Sequence, residues 1–131
     1  MEQKIILYIE DNLHNRRIVR KILQSRGYTI IEAEDGISGL EMVQELKPPL
    51  ILLDIGLPGI SGLEVVGQIR ADEKLRHIPV IALTASAMRG DRERFLAAGC
   101  DDYLSKPVRA MELINMVAVH YPSANGKSAS R

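Results

Sequence analysis

The chain has 131 residues, room for one domain of ordinary size and too little for two. Lys+Arg and Asp+Glu both number 17, so the basic excess that favours direct nucleic-acid binding is absent. Cys100 is the single cysteine, which excludes an intramolecular disulfide, and every apolar run falls far short of the ~20 residues of a membrane span.

The first apolar run, residues 5–9, is Ile- and Leu-rich and ends at Glu10-Asp11. That early break argues against a signal peptide, so the expected location is the cytoplasm. Ile18, Ile22 and Leu23 then recur at helical spacing before Gly27. A second run, 28–33, is followed by helical spacing of Leu40, Met42, Val43 and Leu46 up to Pro48-Pro49. A third, 50–53, leads through the turn Leu57-Pro58-Gly59-Ile60-Ser61-Gly62 into Leu63, Val66 and Ile69. A fourth, 80–83, precedes Met88, Phe95, Leu96 and Ala98, which stop at Gly99. A fifth strand is expected at 102–105, with Leu113, Ile114, Met116 and Val117 on the last helix. Strands alternating with helices imply βαβ units and a doubly wound parallel α/β sheet with helices on both faces.

Runs 5–9, 50–53 and 80–83 are almost wholly apolar, as strands covered on both faces must be. Run 28–33 carries Thr29 and Glu32, and 102–105 is short and mixed, so these two are expected at the edges. Edges at strands 2 and 5 fit the flavodoxin-like order 2-1-3-4-5. One domain is expected over residues 1–121, and the small, polar tail 122–131 is expected to be disordered.

In an open parallel sheet, ligands bind beyond the carboxyl ends of the strands. Those ends carry Glu10-Asp11, Asp54, Thr84 and Lys106-Pro107. Each has an ordinary explanation alone: Asp11 or Asn12 can cap a helix, Asp54 can open a turn, Thr84 suits a strand and Lys106 suits solvent. Together they are harder to dismiss, because three acids on one rim raise one another's pKa unless a cation sits among them. Oxygen-only ligands there suit Mg²⁺, and Thr84 and Lys106 can donate to phosphoryl oxygens.

Four segments carry a resemblance: Tyr8-Ile9-Glu10-Asp11-Asn12, Leu53-Asp54-Ile55-Gly56-Leu57-Pro58-Gly59-Ile60-Ser61-Gly62, Ile81-Ala82-Leu83-Thr84-Ala85 and Tyr103-Leu104-Ser105-Lys106-Pro107. In this order and spacing, over residues 4–120, the chain resembles the receiver domain of bacterial response regulators, in its single-domain form. The resemblance implies that Asp54 accepts a phosphoryl group from a histidine kinase or histidine phosphotransfer protein. It implies that Glu10, Asp11, Asp54 and the Gly56 carbonyl hold Mg²⁺, that Thr84 and Lys106 bind the phosphoryl oxygens, and that the Lys106–Pro107 bond is cis. Thr84 and Tyr103 become the switch pair, altering a face that a downstream protein reads. Gly56 stands where relatives often carry a larger side chain, and Ser86 is small; both positions flank the path of hydrolytic water in relatives, and Gly56 is expected to leave that path open. Glu10 stands where Asp is commonest. The runs 60–65 and 85–91 look most like relay and cell-cycle receivers.

The first helix holds Arg16, Arg17, Arg20, Lys21 and Arg26, which read as a solvated face. In relatives this helix docks the phosphodonor, which makes Leu13, His14, Asn15, Arg17, Ile18 and Lys21 candidate specificity residues. His14, His77 and His120 are too scattered for a metal cluster, Cys100 suits packing, and residues 89–94 alternate in sign as an exposed helix face does. The alternative reading is a degenerate receiver that binds partners without phosphate. An enzyme on the same fold fits less well: there is no Asp-x-Asp after the first strand, no Ser/Thr/Gly-rich flavin loop and no G-x-x-x-x-G-K-[ST].

Overall fold

Strict alternation of aliphatic runs with helical segments gives a sheet whose strands all run the same way. The structure, a computed structural model, describes residues 3–85 and 90–122. Among these, β1 (Lys4–Ile9), β2 (Tyr28–Ala33), β3 (Ile51–Asp54), β4 (Val80–Thr84) and β5 (Asp102–Ser105) form one parallel sheet in the order β2-β1-β3-β4-β5. They alternate with α1 (Leu13–Gln24), α2 (Gly36–Leu46), α3 (Gly62–Ala71), α4 (Asp91–Ala98) and α5 (Ala110–His120). The expected fold class, edge strands and order are all present.

Side chains alternate across each strand, so the sheet feeds two cores. Leu7, Ile9, Ile51, Leu53, Val80 and Ala82 face Leu40, Val43, Val65, Val66, Ile69 and Phe95 of α2, α3 and α4. Ile6, Tyr8, Leu52, Ile81, Leu83 and Leu104 face Val19, Leu23, Leu113 and Val117 of α1 and α5. Cys100 joins the first core, where burial pushes its thiol up to about 11.

The helix starts are written locally. Asn12, not Asp11, caps α1, its side chain accepting from the Asn15 N–H, which leaves the Asp11 carboxylate exposed at the rim. Asp35 caps α2, and Ser61 and Glu64 form a capping box on α3. Gly90 precedes α4 and Gly99 ends it at φ 115°, a left-handed position that favours glycine.

Two strands reach one residue further than their apolar runs. Asp54 pairs with Leu83 across β3 and β4, and Thr84 with Ser105 across β4 and β5, so both site residues belong to the ladder and are aimed by it. The arginines of α1 correct another expectation. Arg16 and Arg20 both pair with Glu32 of β2, and Arg16 also donates to the Glu10 carbonyl, so this part of the helix is a half-buried tether. Arg17, Lys21 and Arg26 are exposed. No helix among the described residues is long and apolar enough to cross a membrane. Ser86, Met88, Arg89 and tail residues 123–131 lie outside the described residues.

Candidate functional site

Four strand ends build the site. Glu10 and Asp11 follow β1, Asp54 closes β3, Thr84 closes β4 and Lys106 follows β5. All five line one cleft of about 540 Å³, with Gly56 at its margin. Backbone bonds set the register: the Glu10 N–H donates to Ala33, Ile55 to Leu83 and Lys106 to Thr84, at 2.7–3.0 Å. The Lys106–Pro107 bond is cis.

Carboxylate oxygens of Glu10, Asp11 and Asp54 lie within 4.8 Å of one another. Glu10, Asp54 and Thr84 are buried, while Asp11 is exposed. Lys106 Nζ donates to Glu10 Oε1 at 2.8 Å and stands 3.3 Å from Asp54 Oδ1. The Gly56 N–H donates to Asp54 Oδ1 at 3.1 Å.

Three acids against one lysine leave an excess of negative charge, and the acids divide it unequally. Burial, then the neighbouring Glu10 charge, pushes Asp54 above the usual carboxylate range. Burial also acts to raise Glu10, but donation and charge from Lys106, with donation from Tyr8 and the Asn12 N–H, hold it below its ordinary value. Lys106 is raised: burial works against its charge, and its contacts with Glu10 and Asp54 outweigh that. A divalent cation among the three carboxylates is the natural complement of this set, which offers hard oxygen ligands and carries uncompensated charge.

Tyr103 is separate from the cleft. It is half-buried on β5, its ring edge-on to Phe95 of α4 with centroids 5.8 Å apart. Two residues join the site without a strong mark in the sequence. Arg94, on the stretch expected to be an exposed face, lines the cleft together with Asp91, which it approaches at 3.5 Å. Tyr8 donates its hydroxyl to Glu10 Oε1 at 3.0 Å from beneath the cleft. A signal for Tyr8 did exist: a tyrosine in a strand buried on both faces needs a partner for its hydroxyl, and strand alternation puts Glu10 on its side.

Comparison with known proteins agrees with this geometry. Residues 6–118 match the response regulator receiver domain family. The chain is 43% identical over 114 residues to the polar-differentiation response regulator DivK of Brucella anthropi, covering 87% of this chain and 93% of that one. The DivK of Brucella ovis is 44% identical with the same coverage. Among solved structures, the receiver domain of sensor histidine kinase PA1611 from Pseudomonas aeruginosa PAO1 has a magnesium ion coordinated in its active-site cleft. It superposes with a TM-score of 0.81 at 39% identity, covering 88% of this chain and 95% of that one. The chemotaxis protein CheY4 of Vibrio cholerae superposes at 0.82 with 25% identity, covering 88% and 97%. The chain therefore belongs to the response regulator receiver domain family, the signalling receivers of two-component systems.

Proposed function

We propose that Asp54 accepts a phosphoryl group from a phosphohistidine on a histidine kinase or histidine phosphotransfer protein. The observation that carries this reading is the buried Asp54 carboxylate, flanked by Lys106 at 3.3 Å and by two more acids within 4.8 Å. An Asp54 oxygen forms the new bond to phosphorus as the P–N bond breaks, and the electron pair returns to the imidazole nitrogen. Such a transition state is loose, with its charge on the equatorial oxygens, so positioning and electrostatics dominate. Lys106 and the Thr84 hydroxyl donate to those oxygens. Glu10, Asp11, Asp54 and the Gly56 carbonyl are the residues to hold Mg²⁺, which when bound offsets phosphoryl charge. The product is an acyl phosphate, later hydrolysed. The chain acts in the cytoplasm on a downstream protein, without direct contact with nucleic acid, and the exposed α1 residues Leu13, His14, Arg17, Ile18 and Lys21 meet the donor.

Acetyl phosphate tests this directly. With Mg²⁺, the wild type should gain the mass of one phosphoryl group; with a chelator, or as Asp11→Ala, uptake should slow by at least tenfold. Uptake at the wild-type rate without Mg²⁺ overturns the ion's role, and no uptake under any condition favours a phosphate-independent binding module.

Gly56 governs the life of the product. A Cβ built there lies 3.9 Å from Asp54 Oδ1, in ordinary contact, so a side chain at this position overhangs the acyl phosphate without straining the fold. Gly56→Met should still take up phosphate and should change its hydrolysis rate several-fold. An unchanged decay rate dismisses the idea.

Output runs from Thr84 to Tyr103 and the α4-β5-α5 face. Once phosphate is present, the Thr84 hydroxyl turns to it and the Tyr103 ring rearranges against α4. A few kcal/mol of differential affinity suffices for such a two-state shift. Beryllofluoride should shift amide NMR signals on α4 and β5 in the wild type, and Thr84→Ala should bind the mimic without those remote shifts. Remote shifts retained in the variant assign the signal to another route.

A further inference from the structure

The hydroxyl of Tyr8 has an unusual partner. Tyr8 is fully buried in β1, within the core shared with α1 and α5, and a buried phenol needs a hydrogen-bond acceptor. Its acceptor is an acid of the site: Tyr8 Oη donates to Glu10 Oε1 at 3.0 Å. The same oxygen accepts from Lys106 Nζ at 2.8 Å, and that ammonium also stands 3.3 Å from Asp54 Oδ1. The other oxygen, Oε2, accepts from the Asn12 N–H at 3.3 Å. Tyr8 is thus the anchored end of a chain that runs through Glu10 and Lys106 to Asp54.

A glutamate needs this anchor more than an aspartate does. It has one more rotatable bond, and its carboxylate must be held in a single place inside a buried site. Lys106 alone does not hold it, because an ammonium on a flexible stem follows whichever acid attracts it more. The ring of Tyr8 is locked in the core, so its hydroxyl is a fixed point.

We infer that Tyr8 is a positioning residue, whose hydroxyl sets the Glu10 carboxylate, and through it Lys106, where Mg²⁺ and the phosphoryl group need them. The inference rests on the reading that Glu10 helps to hold Mg²⁺.

The test is a double-mutant cycle on Mg²⁺ affinity, measured by titration calorimetry without any phosphodonor. Tyr8→Phe keeps the ring and removes the oxygen. Glu10→Asp withdraws the carboxylate from the phenol by one methylene. Tyr8→Phe should weaken Mg²⁺ binding roughly tenfold in the wild-type background, as loss of a group orienting a metal ligand does. In the Glu10→Asp background the same substitution should change it by less than about twofold, because the partner has already moved away. A tyrosine that only fills the core lowers the urea midpoint by the same amount in both backgrounds and leaves Mg²⁺ affinity alone. That pattern, or an equal loss of affinity in both backgrounds, overturns the inference while the site reading stands. A wild type that binds no Mg²⁺ overturns both. A second measurement needs no variant: the Tyr8 hydroxyl proton, shielded from water, should be visible by NMR with labelled tyrosine and should shift as Mg²⁺ is added. A resonance indifferent to saturating Mg²⁺ counts equally against the role.

Discussion

Asp54→Asn should take up no phosphoryl group from acetyl phosphate and Mg²⁺ while keeping its fold. The amide has the shape of the carboxylate, and its oxygen can still accept from the Gly56 N–H at 3.1 Å and from Lys106 at 3.3 Å. What disappears is the nucleophile, since an amide oxygen forms no stable bond to phosphorus. The substitution also removes one of three clustered acids, one whose ionised form burial and the Glu10 charge disfavour. Without Mg²⁺, the thermal midpoint should therefore hold or rise. Intact mass spectrometry and a melting curve in chelator check both halves. Equal mass gains in variant and wild type would remove Asp54 from its role, and a lower midpoint would show that its charge stabilises the fold.

Gly62→Ala should damage both stability and phosphorylation although it touches no functional side chain. Gly62 opens α3 and closes the turn that carries Asp54 toward the helix, its N–H donating to Ile55 at 3.1 Å. A Cβ at this position lies 2.6 Å from the Asp54 carbonyl oxygen and 2.7 Å from Ile55 Cα. Both obstacles are backbone, so no side chain can swing aside, and the end of β3 must move. Overpacking of this kind costs about 1–3 kcal/mol, more than the roughly 0.5–1 kcal/mol that alanine gains over glycine in a helix. The net loss, roughly 0.5–2 kcal/mol, lowers the melting temperature of a domain this large by about 2–8 °C. Gly67→Ala is the internal control. It lies on the same helix, exposed, with nothing within 4 Å of its added carbon, and should gain stability by about 0.5–1 kcal/mol. If the two variants melt alike, the close approach at Gly62 has no consequence.

Much of the fold can be read from the chain because its signals are local. Continuous aliphatic runs mark β1, β3 and β4 as covered on both faces, and Thr29 and Glu32 mark β2 as an edge. The rim residues follow, since a parallel sheet gathers its strand ends on one side. Element ends are less legible: the apolar runs stop at Leu53 and Leu83, yet the ladder takes in Asp54 and Thr84 as well. Long-range partners are least legible. Arg16 and Arg20 look like solvated charge until Glu32 is found beside them on the neighbouring strand. Arg94 reaches the cleft only because α4 begins at Asp91 and aims its first turn there. Asn12 and Asp11 are equally good caps by composition, and the geometry of the turn chooses Asn12, which leaves Asp11 at the rim with the other acids.

One carboxylate among three is proposed to receive the phosphoryl group, and mapping the modified residue tests this most directly. Wild-type protein treated with acetyl phosphate and Mg²⁺ is reduced with borohydride, which converts an aspartyl phosphate to homoserine, and is then digested and sequenced by mass spectrometry. The expected result is homoserine in place of Asp54, with Glu10 and Asp11 unaltered. Reduction at Asp11 or Glu10 instead, or no reduced acid in protein whose intact mass has risen by one phosphoryl group, would contradict it.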